Sequence, residues 1–256
     1  MNIVIMPNRQ RIIIQAAKFL VSAINEFKPS RKNPFVLGLS TGATVLSICG
    51  ELVCQFEMGK ISFEHVVIFT AGEYLGVSEV DKDSYSYRIY HEFFSKVNLP
   101  SSQIFTLNGQ SADINQECIH YEQLIQQYGG LELFLGSLGE NGNLAFNEPG
   151  SALLSSTRLK TLNSETIRAD ARFFHNNTSK VPMQALTIGI KTIYDARKIL
   201  IVVYGTHKAF AVRQCLEQEI SAMHPASFLQ LHPQTTFMID KVAGRKLSLD
   251  QTFSEI

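Results

Sequence analysis

The chain has 256 residues, 45% of them hydrophobic, and its 23 basic and 23 acidic side chains give a formal net charge of zero. This length and composition are typical of a folded protein with a large core, and they exclude a disordered or collagen-like chain. The balanced charge gives no general attraction to nucleic acid or to an anionic membrane, so any bound anion must be held by local geometry.

The first half of the chain predicts strands and helices in alternation. Strands are expected at MNIVIM, PFVLGLS and HVVIFT, because each is a short apolar run. A helix with Ile12, Ala16 and Leu20 on one face separates the first two, and a helix over 45–56 separates the next pair. A polar loop (AGEYLGVSEVDKDS), an aromatic helix (YSYRIYHEFFSKV), a short strand at IFTL and a helix over 115–127 follow.

The second half continues the alternation. Strands are expected at LELFLGSL, ALTIGI, KILIVVYG and TTFMID, with a short helix ending at Ala196 and another helix over 207–218. Alternating strands and helices indicate βαβ units. We therefore predict an α/β fold with a single doubly wound, mainly parallel sheet, helices on both faces, and one domain that spans residues 1–256.

Two further patterns concern the environment of the protein. The amino-terminal MNIVIMPNRQ has no basic segment before a long apolar core, and no apolar run reaches about 18 residues, so neither a signal peptide nor a membrane span is predicted. The four cysteines, Cys49, Cys54, Cys118 and Cys215, form no CxxC pair and no metal-like spacing. We expect buried free thiols in a reducing cytoplasm, and no metal.

The segment LELFLGSLGENGNLAFNEPG, residues 131–150, is an apolar strand that ends in a loop rich in glycines and amides. The loop contains Asn141, Asn143, Asn147 and Glu148. Ligands of open α/β sheets bind just beyond the carboxyl ends of the strands. The sequence therefore predicts a functional site in this loop.

A second strand-end loop, LGLSTGATVL, has the features of an anion site. It places Thr41, Gly42, Ala43 and Thr44 between a strand and a helix, where backbone N–H groups, the helix dipole and hydroxyls can bind a phosphate. The alternative is a helix start capped by a threonine side chain. The loop matches neither a Walker A motif nor GxGxxG, so nucleotide binding is not indicated.

Two cations are candidates for the same anion. Lys208 follows the strand in VVYGTHKAF and lies in the first turn of a helix, where the dipole disfavours a positive charge unless an anion is bound. Arg172, in RADARFF, is followed by two phenylalanines, which indicates that its guanidinium lies near the body of the fold. The alternative for each is an ordinary solvated cation.

Six segments together resemble the glucosamine-6-phosphate deaminase family: PFVLGLSTGAT, HVVIFTAGEYLGV, ENGNLAFNEPGS, TRLKTL, RADARFF and LQLHP. They cover nearly the whole chain in the order of the family. The wider superfamily includes the 6-phosphogluconolactonases, but FNEP, TRLKTL and LQLHP favour the deaminase branch. The resemblance implies a Rossmann-like fold, a cytoplasmic homo-oligomer (often a hexamer), no metal or other cofactor, and conversion of glucosamine 6-phosphate to fructose 6-phosphate and ammonia.

The resemblance also implies two binding sites. The substrate phosphate would be bound by Thr41, Gly42, Ala43, Thr44, Arg172 and Lys208, and Ala43 stands where glycine is usual. Bacterial members bind N-acetylglucosamine 6-phosphate at an allosteric site, which corresponds here to Ser151, Arg158, Lys160 and Thr161. The terminal residues Phe253, Ser254, Glu255 and Ile256 include no tyrosine that could complete that site.

The positions that the family uses for catalysis differ. The family pattern MDEY is AGEY here, so Gly72 stands in place of the aspartate that acts as enolisation base. DGH is NGN, so Asn141 and Asn143 replace an aspartate and the ring-opening histidine, and Glu148 is retained. Neither glycine nor an amide titrates near neutral pH, and a positioned acid or base contributes about 10²–10⁴-fold to rate.

We therefore predict a catalytically impaired homologue that binds an amino-sugar phosphate in a sensing or regulatory role. One alternative is an active deaminase or isomerase that uses Glu148 and an unrecognised base; another is a structural subunit that co-assembles with an active homologue. Glu73 adjoins the glycine, but successive side chains of an extended segment point in opposite directions. The other nearby candidates, His65, Asp81 and Asp83, cannot be placed from the sequence.

Overall fold

Strands and helices alternate along the chain, as the hydrophobic pattern predicts. The computed structural model describes residues 1–40 and 42–248. Its strands are Asn2–Met6 (β1), Phe35–Leu39 (β2), Val66–Thr70 (β3), Gly72–Tyr74 (β4), Ile104–Phe105 (β5), Leu133–Ser137 (β6), Arg158–Thr161 (β7), Gln184–Thr187 (β8), Lys198–Val203 (β9) and Thr235–Asp240 (β10). Its α-helices are Arg9–Phe27 (α1), Ala43–Glu57 (α2), Tyr85–Glu92 (α3), Ile114–Gln127 (α4), Ser164–Asp170 (α5), Ile190–Tyr194 (α6) and Ala209–Leu216 (α7).

The central sheet has seven parallel strands in the order β1-β10-β9-β6-β2-β3-β5. Strands β2 and β3 are buried along their whole length, because helices cover both faces of the sheet. Leu37 packs on one face with α1 and α2, whereas Val36 packs on the other face in the cluster that contains side chains of α4, α6 and α7. The predicted α/β fold, with a mainly parallel sheet and helices on both faces, is confirmed.

The order of the strands reverses between β2 and β6. Strands β3 and β5 follow β2 towards one edge, whereas β6, β9 and β10 lie towards the other edge. The backbone N–H of Ser40, just after β2, donates to the carbonyl of Leu135 in β6 at 2.9 Å, which keeps the two strand ends side by side. Such a reversal leaves a crevice at the carboxyl ends of the strands, where ligands of this class of fold bind.

Three short strands form a separate antiparallel sheet in the order β4-β8-β7. The sequence analysis assigned β4 to a polar loop and placed ALTIGI, which contains β8, in the parallel alternation; both assignments are wrong. Strands of three or four residues carry too few positions to show a period. The pairing of β4 with β8 also joins segments more than 100 residues apart, which leaves no local signal. This small sheet carries Gly72 to the carboxyl edge of the central sheet.

Two remaining expectations concern thiols and the membrane. Cys49, Cys118 and Cys215 are buried and free, whereas Cys54 is free and exposed. Cys54 lies on α2, whose buried positions include Leu52 and Val53, so the prediction of a buried thiol is wrong at this one position. In the part of the chain that the structure describes, no helix combines the length and the apolar character that crossing a membrane requires.

Candidate functional site

A cavity of about 270 Å³ opens at the carboxyl edge of the central sheet, at the reversal between β2 and β6. It brings together residues that the sequence analysis selected from five separate segments. These residues are Gly42, Ala43, Thr44, Gly72, Asn141, Asn143, Arg172 and Lys208. Thr41, the remaining predicted phosphate ligand, lies outside the described residues.

The N-terminus of α2 forms one end of the cavity. Gly42 is the N-cap in an extended conformation, and as a glycine it has no side chain that could cap the helix. Among the described residues the N-cap is thus not a threonine, and a cap by Thr41, which lies outside them, stays a prediction. The first backbone N–H groups of a helix, here those of Ala43 and Thr44, have no partner within the helix, and the dipole favours an anion beside them. This end of the cavity can bind a phosphate.

Two cations line the same cavity. Lys208 is half-buried, and burial lowers its pKa to about 8; the negative charge of Glu140 partly opposes this shift, and the positive charge of Arg172 adds to it. Arg172 is exposed, with its guanidinium carbon 4.8 Å from the ring centroid of Phe173, so it lies against an aromatic ring as the sequence indicated. A bound phosphate would favour the charged form of the lysine.

Gly72 lies in β4, in the wall of the cavity. A β-carbon at this position would be 2.9 Å from the carbonyl oxygen of Leu186 and 2.9 Å from Cδ2 of Phe146. The backbone of the paired strand β8 and an aromatic ring thus occupy the space next to the glycine. Glycine suits a position where another backbone approaches this closely. Gly72 itself therefore offers the cavity no acid or base.

The side-chain amides of Asn141 and Asn147, in the loop after β6, hydrogen-bond to backbone groups. The side-chain oxygen of Asn141 accepts from the backbone N–H of Asn143 at 3.1 Å. Oδ1 of Asn143 lies 1.4 Å from the place that a β-carbon of residue 139 would occupy, so only Gly139 fits beneath this side chain. Ala145 has a φ of 50°, which is a left-handed conformation. Residues other than glycine adopt it at a cost in energy, and such residues are common at functional sites.

Glu148 lies behind the amide loop and is only 4% exposed. Its Oε2 accepts from Nδ2 of Asn141 at 3.2 Å and from Nδ2 of Asn163 at 2.7 Å. Burial raises the pKa of this carboxyl, and hydrogen bonds and the positive charge of Lys160 partly oppose that shift. The retained carboxylate therefore joins the amide loop to the residue that precedes α5.

The nearby carboxylate that the sequence raised as a substitute base has another role. Glu73 accepts hydrogen bonds from the hydroxyl of Ser84 and from the backbone N–H groups of Tyr85 and Ser86, all between 2.8 and 3.1 Å. It thus binds the first turn of α3 and is 2% exposed, consistent with the expectation that it points away from its neighbour. Among the described residues, neither His65, Asp81 nor Asp83 lines the cavity.

One buried carboxylate in the cavity wall was missed. Asp170, the last residue of α5, is 7% exposed and lines the cavity. Its Oδ2 accepts from the hydroxyl of Tyr74 at 2.6 Å and from that of Tyr85 at 3.2 Å. The segment RADARFF was selected for its arginine alone, because the tyrosines that contact the aspartate lie more than 80 residues away in the sequence.

Three of the four effector-type residues lie close to the amide loop. Arg158 donates to Oγ of Ser151 at 3.2 Å and to Oδ1 of Asn147 at 2.9 Å, and burial lowers the pKa of its guanidinium. Lys160 is two residues further along β7 and therefore faces the same side. Thr161 is exposed on the opposite side of the strand. The terminal tail, residues 253–256, lies outside the described residues.

These features define a class: a doubly wound α/β protein with a small-molecule cavity at the strand reversal. A family model described as "Glucosamine-6-phosphate isomerases/6-phosphogluconolactonase" matches residues 7–238. A glucosamine-6-phosphate deaminase of Glaesserella parasuis is 41% identical over 97% of this chain and 94% of its own length, and one of Drosophila melanogaster is 40% identical over 96% and 90%. The chain therefore belongs to the glucosamine-6-phosphate isomerase/6-phosphogluconolactonase family, on the deaminase side of it.

Solved structures agree with this assignment. A structure described as a monomeric glucosamine-6-phosphate deaminase superposes with a TM-score of 0.91 at 35% identity, covering 96% of this chain and 100% of its own. A 6-phosphogluconolactonase from Thermotoga maritima has a TM-score of 0.74 at 18% identity, covering 94% and 99%. At that lower identity the likeness concerns the fold alone.

Proposed function

We propose that the cavity binds a phosphorylated amino sugar, glucosamine 6-phosphate or N-acetylglucosamine 6-phosphate, and that the protein has little deaminase turnover and acts in sensing or regulation. The observation that carries this proposal is the composition of the cavity wall. Groups suited to a phosphate are present, whereas three of the four positions that the resemblance assigns to catalysis are Gly72, Asn141 and Asn143; the fourth, Glu148, is retained.

The ligand class is supported by the relatives and by the charges of the cavity. Relatives about 40% identical over almost the whole chain are named glucosamine-6-phosphate deaminases. The cationic side chains of Arg172 and Lys208 line the cavity together with the open N-terminus of α2. Each of these groups can stabilise a bound phosphate, so binding does not require a net positive charge on the protein.

Low turnover follows from the chemistry of the replaced groups. Deamination of an aminosugar phosphate needs a base for the proton on carbon 2 and an acid or base for ring opening. Asn141 and Asn143 can hydrogen-bond a sugar hydroxyl but cannot exchange a proton with it near neutral pH. Loss of one positioned acid or base typically costs about 10²–10⁴-fold in rate, and losses within one relay are not additive.

An active deaminase or isomerase is the second candidate, and two observations favour it. Asp170 is a carboxylate in the cavity wall, and Glu148 is retained with a pKa that burial raises. Either could accept a proton if the ligand came within hydrogen-bond distance. Release of ammonia by the purified protein distinguishes the two candidates.

We also propose a homo-oligomer, since the resemblance implies one that is often a hexamer. One structural relative is described as a monomeric deaminase, so membership of the family leaves the number of subunits open. The mass in solution therefore needs its own measurement.

The proposal also includes a second ligand site outside the cavity, which the effector-type cluster of Ser151, Arg158 and Lys160 supports.

Calorimetric titration with glucosamine 6-phosphate tests the proposed binding. We expect saturable binding with one ligand per chain, and Arg172→Gln should weaken it by at least about 10-fold, since a charge-assisted hydrogen bond is lost. Arg168→Gln is the matched control, because Arg168 is an exposed arginine of α5 that does not line the cavity. Absence of binding by the wild-type protein at millimolar ligand would contradict the proposal.

A further inference from the structure

Asp170 is a buried carboxylate in the cavity wall, and one of its two oxygens has no hydrogen-bond partner among the described residues. Its side chain is more than nine-tenths buried and lines the cavity. Oδ2 accepts from Tyr74 and Tyr85, whereas Oδ1 has no hydrogen-bond partner among residues 1–40 and 42–248. Within the same residues, no cationic side chain lies within 4.0 Å of the carboxylate.

A buried carboxylate without an ion pair is costly, and most such groups in proteins are paired or bind a ligand. Burial raises the pKa of Asp170, but the two tyrosine hydroxyls and the charges of Arg172 and Arg88 oppose that shift. The tyrosine donors thus stabilise the charged form. The carboxylate remains available for a cationic partner at its second oxygen.

The surroundings of Asp170 fix its position in the cavity. The rings of Tyr74 and Tyr85 stack with centroids 4.9 Å apart, and both pack on Phe146, at 5.5 and 5.7 Å. Cδ2 of Phe146 also lies next to Gly72. These contacts therefore hold Asp170 on the cavity wall that carries Gly72. In the sequence, Asp170 precedes the cation Arg172 by two residues. The cavity presents positive groups and one buried negative group to the same small ligand.

We propose that Oδ1 of Asp170 accepts a hydrogen bond from the ammonium group of a phosphorylated amino sugar, so that the cavity selects a zwitterionic ligand over a neutral sugar phosphate. The proposal rests on the proposed function, since it concerns the ligand of the same cavity. Phosphate recognition is assigned to α2, Arg172 and Lys208. Recognition of the amine is assigned to Asp170, a residue to which the resemblance gives no role.

Calorimetry at pH 7 with glucosamine 6-phosphate and glucose 6-phosphate tests this selectivity. The two ligands differ only at carbon 2, where an ammonium replaces a hydroxyl. Wild-type protein should bind the amino sugar at least about 10-fold more tightly, because the charge-assisted hydrogen bond is present with only one ligand. Asp170→Asn should reduce this preference to less than about 3-fold, since the amide keeps the shape and loses the charge.

Asp113→Asn is the matched control, because Asp113 is an exposed aspartate that caps α4 and does not line the cavity. It removes the same charge and should leave the ratio of the two affinities unchanged. Equal affinity of wild-type protein for both ligands would overturn the role of Asp170 while leaving the proposed function intact, and so would a preference that persists in a folded Asp170→Asn variant. Failure of both ligands to bind would overturn the proposed function itself. The wild-type comparison can overturn the proposal even if the variant does not fold.

Discussion

At the scale of single residues, hydrogen bonds hold Asn141 in the cavity wall, whereas close packing holds Gly72. Asn141 bridges the loop backbone to Glu148, because its oxygen accepts from the backbone N–H of Asn143 and its nitrogen donates to the carboxylate. An ionised aspartate at this position could accept the first hydrogen bond but could not donate the second. Gly72 differs, because the ring of Phe146 and the carbonyl of Leu186 fill the space beside it. The sequence identified these positions but could not show how tightly the neighbours close around the glycine.

The crowding at Gly72 predicts a loss of stability in Gly72→Ala. A methyl group there must displace a backbone oxygen of β8, which cannot rotate away, so we expect the free energy of unfolding to fall by about 1–3 kcal/mol. Gly50→Ala is the control, since Gly50 lies within α2 with nothing within 4 Å of an added β-carbon. That change should raise stability by about 0.5–1 kcal/mol. Urea titrations measure both, and unchanged stability of Gly72→Ala would contradict the described packing.

The pKa of Lys208 predicts how anion binding depends on pH. The pKa is lowered from 10.5 to about 8, so the free protein loses this positive charge as the pH rises through 8. Affinity for sulfate, whose charge is constant in this range, should therefore fall between pH 7 and pH 9. Lys208→Arg should flatten the profile, because a guanidinium stays charged. Calorimetry at several pH values measures both proteins, and a flat wild-type profile would argue against the lysine as an anion ligand.

The same pKa has a consequence for folding. Between pH 8 and 10.5 the unfolded chain binds a proton at this lysine that the folded chain does not hold, so the contribution of Lys208 to stability rises with pH over that window.

At the scale of elements, α5 joins the amide loop to the cationic end of the cavity. Asn163 caps this helix by accepting from the backbone N–H of Thr166, and its side-chain nitrogen donates to Glu148. Asp170 ends the helix, and Arg172 follows two residues later. The helix is only seven residues long, too short to be stable alone, so its ends depend on these contacts.

Asn163→Ala should therefore affect both stability and ligand binding. Loss of the cap is expected to cost about 0.5–2 kcal/mol, and weaker positioning of Arg172 should reduce affinity for glucosamine 6-phosphate. Asn177→Ala is the control, because Asn177 caps the short turn Thr178–Lys180 in the same way, and neither the cap nor the turn lines the cavity. Thermal unfolding and calorimetry give the two readouts. An effect of equal size on binding in both variants would contradict a specific role of α5.

At the scale of the whole molecule, the sequence predicted the parts that have strong local patterns. The five-residue apolar runs of β2 and β3 and the periodic face of α1 gave the central sheet and its helices, because burial on both faces leaves a clear signal. The small antiparallel sheet and the contact of Tyr74 with Asp170 depend on residues far apart in sequence. Such contacts are set by the folded chain as a whole and have no local pattern.

If the protein is an oligomer as proposed, its mass in solution is a whole multiple, two or more, of the 28.6 kDa of one chain. Leu154 and Met183 are 77% and 69% exposed and lie in the chain on either side of the predicted effector residues of β7. Burial of such side chains between subunits would favour association. Size-exclusion chromatography with light scattering measures the mass. A monomer at micromolar concentration would contradict the proposed oligomer and leave the cavity assignments unaffected.

Ammonia release from glucosamine 6-phosphate tests the central claim most directly. The wild-type protein is compared with the triple variant Gly72→Asp, Asn141→Asp, Asn143→His, which supplies the groups of the family pattern. A side chain at the crowded position 72 is expected to lower stability, so circular dichroism first shows that both proteins are folded under the assay conditions. We predict that the variant releases ammonia at least about 10²-fold faster than the wild-type protein, the contribution of one positioned acid or base. Wild-type turnover at an ordinary enzymatic rate, about 1–10³ s⁻¹, would contradict the account.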